Sequence, residues 1–307
     1  MKLRSVAGAL VAGTGAVALA NAALRQRAPP LEPALGGDHR TFEWNGIDVR
    51  YAEAGDTDDP DLVLLHGVNA AGSNGEFREI FDELAADYHV IAPDLPGFGT
   101  SERPPLRYSA TFYEEFVRDF VAAFENPAVV ASSLTGAYLT AVADDLDFAS
   151  LVLICPTERG GPDRNLPARE LLRAPVVGEA LFNLLTSKPS IRYFNADHGY
   201  YDMDRVSEAW MDYEWRTAHQ PNARYAPASF VSGFLNAEFD LEQTIGAVDA
   251  PVTLLWGREA DITPLKRGRE LAEATDTRLV VVDDAKLLPH VEFPEESLDA
   301  IRDAIGG

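Results

Sequence analysis

Short, predominantly apolar runs recur at residues 62–65, 89–92, 128–131, 151–154, 252–255 and 279–282. Runs this short and this apolar suit strands buried on both faces. Segments with helical spacing lie between them. Phe77, Ile80, Phe81 and Leu84 predict one helix over 77–84, and further helices are expected over 112–124, 136–143, 265–274 and 295–305. Strands alternating with helices imply right-handed crossovers and a mostly parallel sheet. Near the start, Asn45-Gly46 separates residues 41–44 from 47–51 and signals a hairpin. Residues 158–246 break the alternation. They read as a helical insertion rich in aromatics, including Phe182, Tyr193, Phe194, Tyr200, Tyr201, Trp210, Tyr213 and Trp215. The expected organisation is an α/β core over 39–157 and 247–307, interrupted by a helical cap over 158–246.

Composition narrows the function classes. Among 307 residues, 26 Lys+Arg stand against 49 Asp+Glu, a formal charge of −23. That charge repels phosphate backbones and argues against a nucleic-acid partner. The lysines are only Lys2, Lys188, Lys266 and Lys286. An acidic, Lys-poor surface fits a protein kept soluble in concentrated salt, where charge repulsion is screened within about 3 Å. Cys155 is the single cysteine, which excludes an intramolecular disulfide, and its apolar setting reads as packing. No ligand spacing for zinc and no Gly-x-Gly-x-x-Gly at a strand–helix turn is present, so no cofactor or metal is expected.

The first 27 residues form a segment of their own. Lys2 and Arg4 precede uncharged residues 5–24, and Arg25 and Arg27 follow. As a helix, about twenty residues rise ~30 Å, the thickness of a hydrocarbon core. Only Val6, Leu10, Val11, Val17, Leu19 and Leu24 are strongly apolar, so insertion would be weak. Ala18-Leu19-Ala20 and Ala20-Asn21-Ala22 also resemble signal-peptide cleavage sites. An uncleaved membrane anchor, a removed export signal and a soluble helix remain as alternatives. Residues 28–38, rich in Pro and Gly, read as a linker.

The chemistry concentrates where residues 128–131 give way to a helix through Ser132-Ser133-Leu134-Thr135-Gly136. A sharp strand-to-helix turn lifts a serine hydroxyl off the sheet edge and aims the next N–H at a developing oxyanion. Either serine could instead simply cap the helix. Other motifs accompany the turn: Leu64-Leu65-His66-Gly67-Val68, Asp94-Leu95-Pro96-Gly97-Phe98-Gly99, Trp256-Gly257 and Pro289-His290-Val291-Glu292. In this order the series resembles the cap-bearing branch of the α/β-hydrolase superfamily over roughly residues 42–305. The resemblance implies an eight-stranded, mostly parallel sheet flanked by helices, with a helical cap. It also implies Ser133 as nucleophile, the N–H groups of Val68 and Leu134 as oxyanion hole, His66 as a loop-orienting residue and Asp94 as a structural turn residue.

Two members of the implied triad depart from the pattern. The acid position after Gly257 falls on Ala260, between Glu259 and Asp261, and the base position falls on Leu287. Leucine cannot accept a proton, and an unassisted hydroxyl is a poor nucleophile. His290 with Asp261, an acid at Glu158, or a base descending from the cap at His198 or His219 are the conceivable repairs. Two functions follow. One is a serine hydrolase acting on an ester-like, apolar small molecule; the other is a catalytically degenerate member binding a lipid-like ligand or a partner. Serine at position 133 excludes the Asp-nucleophile chemistry of dehalogenases and epoxide hydrolases of this fold.

Overall fold

The computed structural model describes the backbone of residues 2–306 and the side chains of residues 15–306. The side chains of Lys2, Arg4, Val6, Leu10 and Val11 therefore lie outside the described residues. The strands are β1 (Asp38–Trp44), β2 (Ile47–Ala54), β3 (Asp61–Leu65), β4 (His89–Pro93), β5 (Ala128–Ser132), β6 (Ser150–Ile154), β7 (Val252–Gly257) and β8 (Arg278–Val282). They form one eight-stranded sheet in the order β1-β2-β4-β3-β5-β6-β7-β8. β2 runs antiparallel to β1 and β4, and the remaining pairs are parallel. The expected hairpin is present, with Asn45 (φ 50°) and Gly46 (φ 75°) both left-handed. That pairing matches the strand twist and favours this dipeptide.

Burial follows topology. β4, β5, β6 and β7 are buried along their whole length, whereas β1 and β8 at the sheet edges are partly open. The helices are α1 (Lys2–Arg27), α2 (Phe81–Leu84), α3 (Ala110–Val121), α4 (Ser133–Ala141), α5 (Leu166–Arg173), α6 (Val177–Leu185) and α7 (Lys188–Phe194). They continue with α8 (Glu208–Ala218), α9 (Tyr225–Val231), α10 (Leu241–Gly246), α11 (Leu265–Thr275), α12 (Pro289–Glu292) and α13 (Pro294–Ile305). One sheet face buries Trp44, Phe116, Phe120, Tyr138, Trp256 and Leu271; the other buries Phe77, Phe81, Leu84, Val90 and Ile301. The helix expected over 77–84 is a correction. A 3-10 turn at Asn74–Phe77 and the short α2 replace it, although its apolar residues are buried as expected.

Between β6 and β7 the chain is helical, α5 to α10. The cap seats on the core through α8. Trp210 packs so closely on Gly75 that a Cβ there would meet the ring at 2.7 Å. The Arg78 guanidinium lies 3.9 Å from the Trp210 ring centre, and Tyr213 stacks on the indole at 5.2 Å. Inside the cap, Glu214 is buried and accepts a 2.6 Å hydrogen bond from Asn195 Nδ2. Burial pushes its carboxyl up to about 7, against the opposing pull of Asn195 and Arg78.

The N-terminal helix docks on the cap. Asn21 Nδ2 donates to the Val176 carbonyl at 2.9 Å, Asn183 Nδ2 donates to Asn21 Oδ1 at 3.1 Å, and Arg25 pairs with Glu179 at 2.7 Å. Among the described residues no helix is long and apolar enough to cross a membrane. Residues 28–38 are more than a linker. Tyr213 Oη donates to the Glu32 carbonyl, Gln220 Nε2 donates to the Pro29 carbonyl, Leu35 is buried, and Asp38 already belongs to β1.

Because the folded state favours the neutral form of Glu214, this carboxyl's contribution is fully present below about pH 4.5 and lost as pH rises through about 7. Relative to the wild type, E214Q is expected to gain stability with rising pH, reaching on the order of 3 kcal/mol above neutrality. Thermal unfolding of both proteins from pH 4 to 8 checks this; a difference that ignores pH contradicts it.

Candidate active site

The parallel register of β3 and β5 places Leu65 opposite Ala131, so the chain segments following both strands emerge side by side. Ser133 sits at the β5–α4 junction with φ of 54°, a left-handed conformation that non-glycine residues rarely adopt. It is half-buried, whereas Ser132 is buried. Thr135 occupies a place where glycine would be usual, and its hydroxyl is used: Oγ1 donates to the His66 carbonyl at 2.7 Å. Thus the turn is pinned to the loop that follows β3.

That loop is held from several directions. His66 is buried, with Nδ1 2.7 Å from the Gly67 carbonyl and Nε2 3.0 Å from the Leu95 N–H. Donation from Nδ1 and acceptance at Nε2 make it a neutral tautomer that orients the loop. Asp94 accepts from the N–H of Asn74 (2.7 Å), the N–H of Thr100 (2.6 Å) and the Thr100 hydroxyl (2.7 Å). It is a turn residue, and Gly99 (φ 50°) is required beside it, because a Cβ there would lie 1.9 Å from the carboxylate. Val68 and Leu134 are both buried in the core.

The residues considered as repairs are committed elsewhere. Asp261 is exposed and pairs with Lys286 at 3.3 Å, while Ala260 is buried in the core and Leu287 packs against it. Glu158 pairs with Arg267 at 3.4 Å. His198 is partly exposed beside Asp197 at 2.9 Å. His219 is buried against Trp215, with Nδ1 on the Trp215 carbonyl at 2.7 Å, and burial lowers its pKa. His89 lies between Asp61 and Glu53; burial is the largest single effect and lowers its pKa, but the two carboxylates together outweigh it and raise the pKa above the usual value. His290 is wholly buried, with Nε2 3.5 Å from Glu76 Oε1 and its ring over Phe77. Among the described residues no imidazole is hydrogen-bonded to Ser133.

Glu76 escapes sequence reasoning altogether. It lies on the turn Asn74–Phe77, is buried, and accepts the Gly67 N–H at 2.9 Å through Oε2. Cys155 is buried as expected, and its thiol is pushed up to about 12, chiefly by desolvation, with the Glu76 charge adding to the shift. Glu292 is a second unanticipated carboxylate. Its Oε1 accepts from Tyr201 and Asp202 N–H groups and its Oε2 from Lys286 N–H, so it ties the cap to the loop after β8.

Comparison with known proteins agrees with this architecture. An uncharacterized hydrolase, YugF, of Bacillus subtilis is 25% identical over 87% of this chain and 97% of its own. A shorter stretch, 34% identical, is shared with 2-hydroxy-6-oxo-6-(2'-aminophenyl)hexa-2,4-dienoic acid hydrolase of Metapseudomonas resinovorans, and spans 30% of this chain and 32% of that one. An uncharacterized hydrolase of Saccharomyces cerevisiae is 44% identical over 22% of either chain. These two alignments thus span about a fifth to a third of the relatives' length. The solved 2-hydroxy-6-oxo-6-phenylhexa-2,4-dienoate hydrolase of a Rhodococcus strain superimposes with a TM-score of 0.73 at 22% identity, over 89% of this chain and 100% of that one. Residues 62–300 match the model of the alpha/beta hydrolase family, and with its sheet order and strand–turn–helix the chain belongs to that family.

Proposed function

We propose that the protein is a slow serine hydrolase acting on an apolar, ester-like small molecule, with Ser133 as nucleophile. The left-handed backbone of Ser133 carries this reading. Such a conformation costs a non-glycine residue on the order of 1–3 kcal/mol, and an ordinary helix cap does not require it. In the reaction Ser133 Oγ attacks the substrate carbonyl carbon and gives its proton to solvent water, while the carbonyl oxygen takes up negative charge facing the N–H groups of Val68 and Leu134. The C–O bond then breaks, the leaving oxygen takes a proton from water and departs as the alcohol, and a second water releases the acid from the acyl-serine and restores the Ser133 hydroxyl. Relatives named as hydrolases of oxo-dienoates, and a structural neighbour named as an esterase, support carbonyl hydrolysis as the reaction class.

Leu287 and Ala260 set the rate. Neither accepts a proton, so catalysis rests on binding and the oxyanion hole, which in serine proteases sustain about 10³–10⁴-fold over water without a triad. The same two residues favour the second reading, a family member that binds a small lipid-like ligand without turning it over.

Labelling with a fluorophosphonate in concentrated salt separates the two. The wild type is expected to take up the probe and S133A to take up none; absence of Ser133-dependent labelling contradicts hydrolysis. Introducing a base by L287H is expected to raise ester turnover by about tenfold or more. A flat response shows that the missing histidine does not limit the rate.

A further inference from the structure

Glu76, His290, Ser132 and Gly67 form a buried polar knot directly behind Ser133. A Cβ placed on Gly67 would lie 3.2 Å from Ser132 Oγ, 3.3 Å from Glu76 Oε2 and 3.3 Å from Ser133 Cβ, so these groups share one contact shell. Glu76 Oε2 accepts the Gly67 N–H at 2.9 Å, and the Ser132 hydroxyl lies beside the carboxylate in that shell. On the other side, Oε1 faces His290 Nε2 at 3.5 Å, an ion-pair separation longer than a hydrogen bond. Glu76 Oε1 and both His290 ring nitrogens have no hydrogen-bond partner. An isolated buried charge would be costly, so the two groups serve each other.

The Gly67 carbonyl and the Val68 N–H belong to one planar trans peptide and point in opposite directions. His66 holds that carbonyl, and Glu76 holds the N–H of the peptide before it. Both rotatable bonds of Gly67 are thereby fixed, and with them the direction of Val68 N–H.

We propose that Glu76 is a positioning residue that clamps the Gly67 peptide to the Ser132–Ser133 turn and aims the Val68 N–H, with His290 as its buried charge partner and not the base for Ser133. This role rests on the Ser133 reading above. Burial alone would raise the Glu76 carboxyl, but His290 and the neighbouring Ser132 outweigh it and hold the group below the usual carboxylate range. The titratable groups around it are His290 from α12, His66 from the loop after β3, Cys155 from the end of β6, Tyr200 from the cap and Arg78 on its own segment.

Steady-state ester hydrolysis of E76A, E76Q and H290Q, with carboxyl-carbon NMR of Glu76 and amide NMR of Gly67, tests the assignment. E76A is expected to lower kcat by about 100-fold with KM within about threefold, as loss of an oxyanion donor does. E76Q keeps an acceptor for Gly67 N–H and is expected to recover kcat to within about tenfold of wild type. In H290Q the Glu76 carboxyl loses its charge partner, so its titration, the Gly67 amide shift that follows it and the acid limb of kcat all move to higher pH. A folded E76A with unchanged kcat overturns the proposal. So does a pH-independent loss of about 10⁴-fold in H290Q without movement of the Glu76 titration, which would mark His290 as the base. If the wild type shows no Ser133-dependent turnover, the hydrolase reading fails. The NMR arm still decides: a Glu76 titration or Gly67 shift unmoved in H290Q overturns the clamp.

Discussion

The pairing of β3 with β5, Leu65 opposite Ala131, is the constraint from which the site follows. Parallel strands end at the same edge, so the loop after β3 and the turn after β5 must share space there. The Thr135 hydroxyl on the His66 carbonyl crosses that seam, and the Glu76 carboxylate on the Gly67 N–H braces the loop from within the same connection. Threonine in place of the usual glycine is therefore a bond across the seam.

The loop after β8 has a different use from the one its family resemblance implies. Leu287 packs on the core, and Leu288 joins Ile191, Tyr200, Met211 and Val291 under the cap. Lys286 Nζ donates to the carbonyls of Ala196 (3.0 Å) and Asp197 (2.7 Å), and Glu292 receives the Tyr201 and Asp202 N–H groups. The segment that would present a base to the nucleophile instead fastens the cap. On the proposed reading, a site whose base loop is spent on packing has the oxyanion donors as its main catalytic resource, and the weight of function falls on the residues that aim them.

Much of this was legible in the sequence. The apolar runs announced the buried strands because burial on both faces leaves no alternation to confuse, and Asn45-Gly46 announced the hairpin because few other pairs accept two left-handed residues. The serine turn was legible through its company of motifs. Glu76 was not. An acid carries no periodic signal, and its partners, Gly67 and His290, come from distant parts of the chain. His290 was noticed for its chemistry, yet its burial against Phe77 depends on tertiary packing. Asn21 read as part of a cleavage-like triplet, whereas its amide is buried against the cap at Val176. The helix expected over 77–84 failed in its first turn, where Phe77 closes a 3-10 turn and residues 78–80 form a turn before α2.

The account stands on Ser133 forming and releasing an acyl intermediate. Intact-mass measurement after mixing with a p-nitrophenyl acyl ester, in the wild type and in S133A, tests that directly. One acyl group is expected on the wild type, at Ser133, decaying at the rate of turnover, with none on S133A. Ester turnover without an acyl adduct at Ser133, or an adduct that persists in S133A, would contradict it.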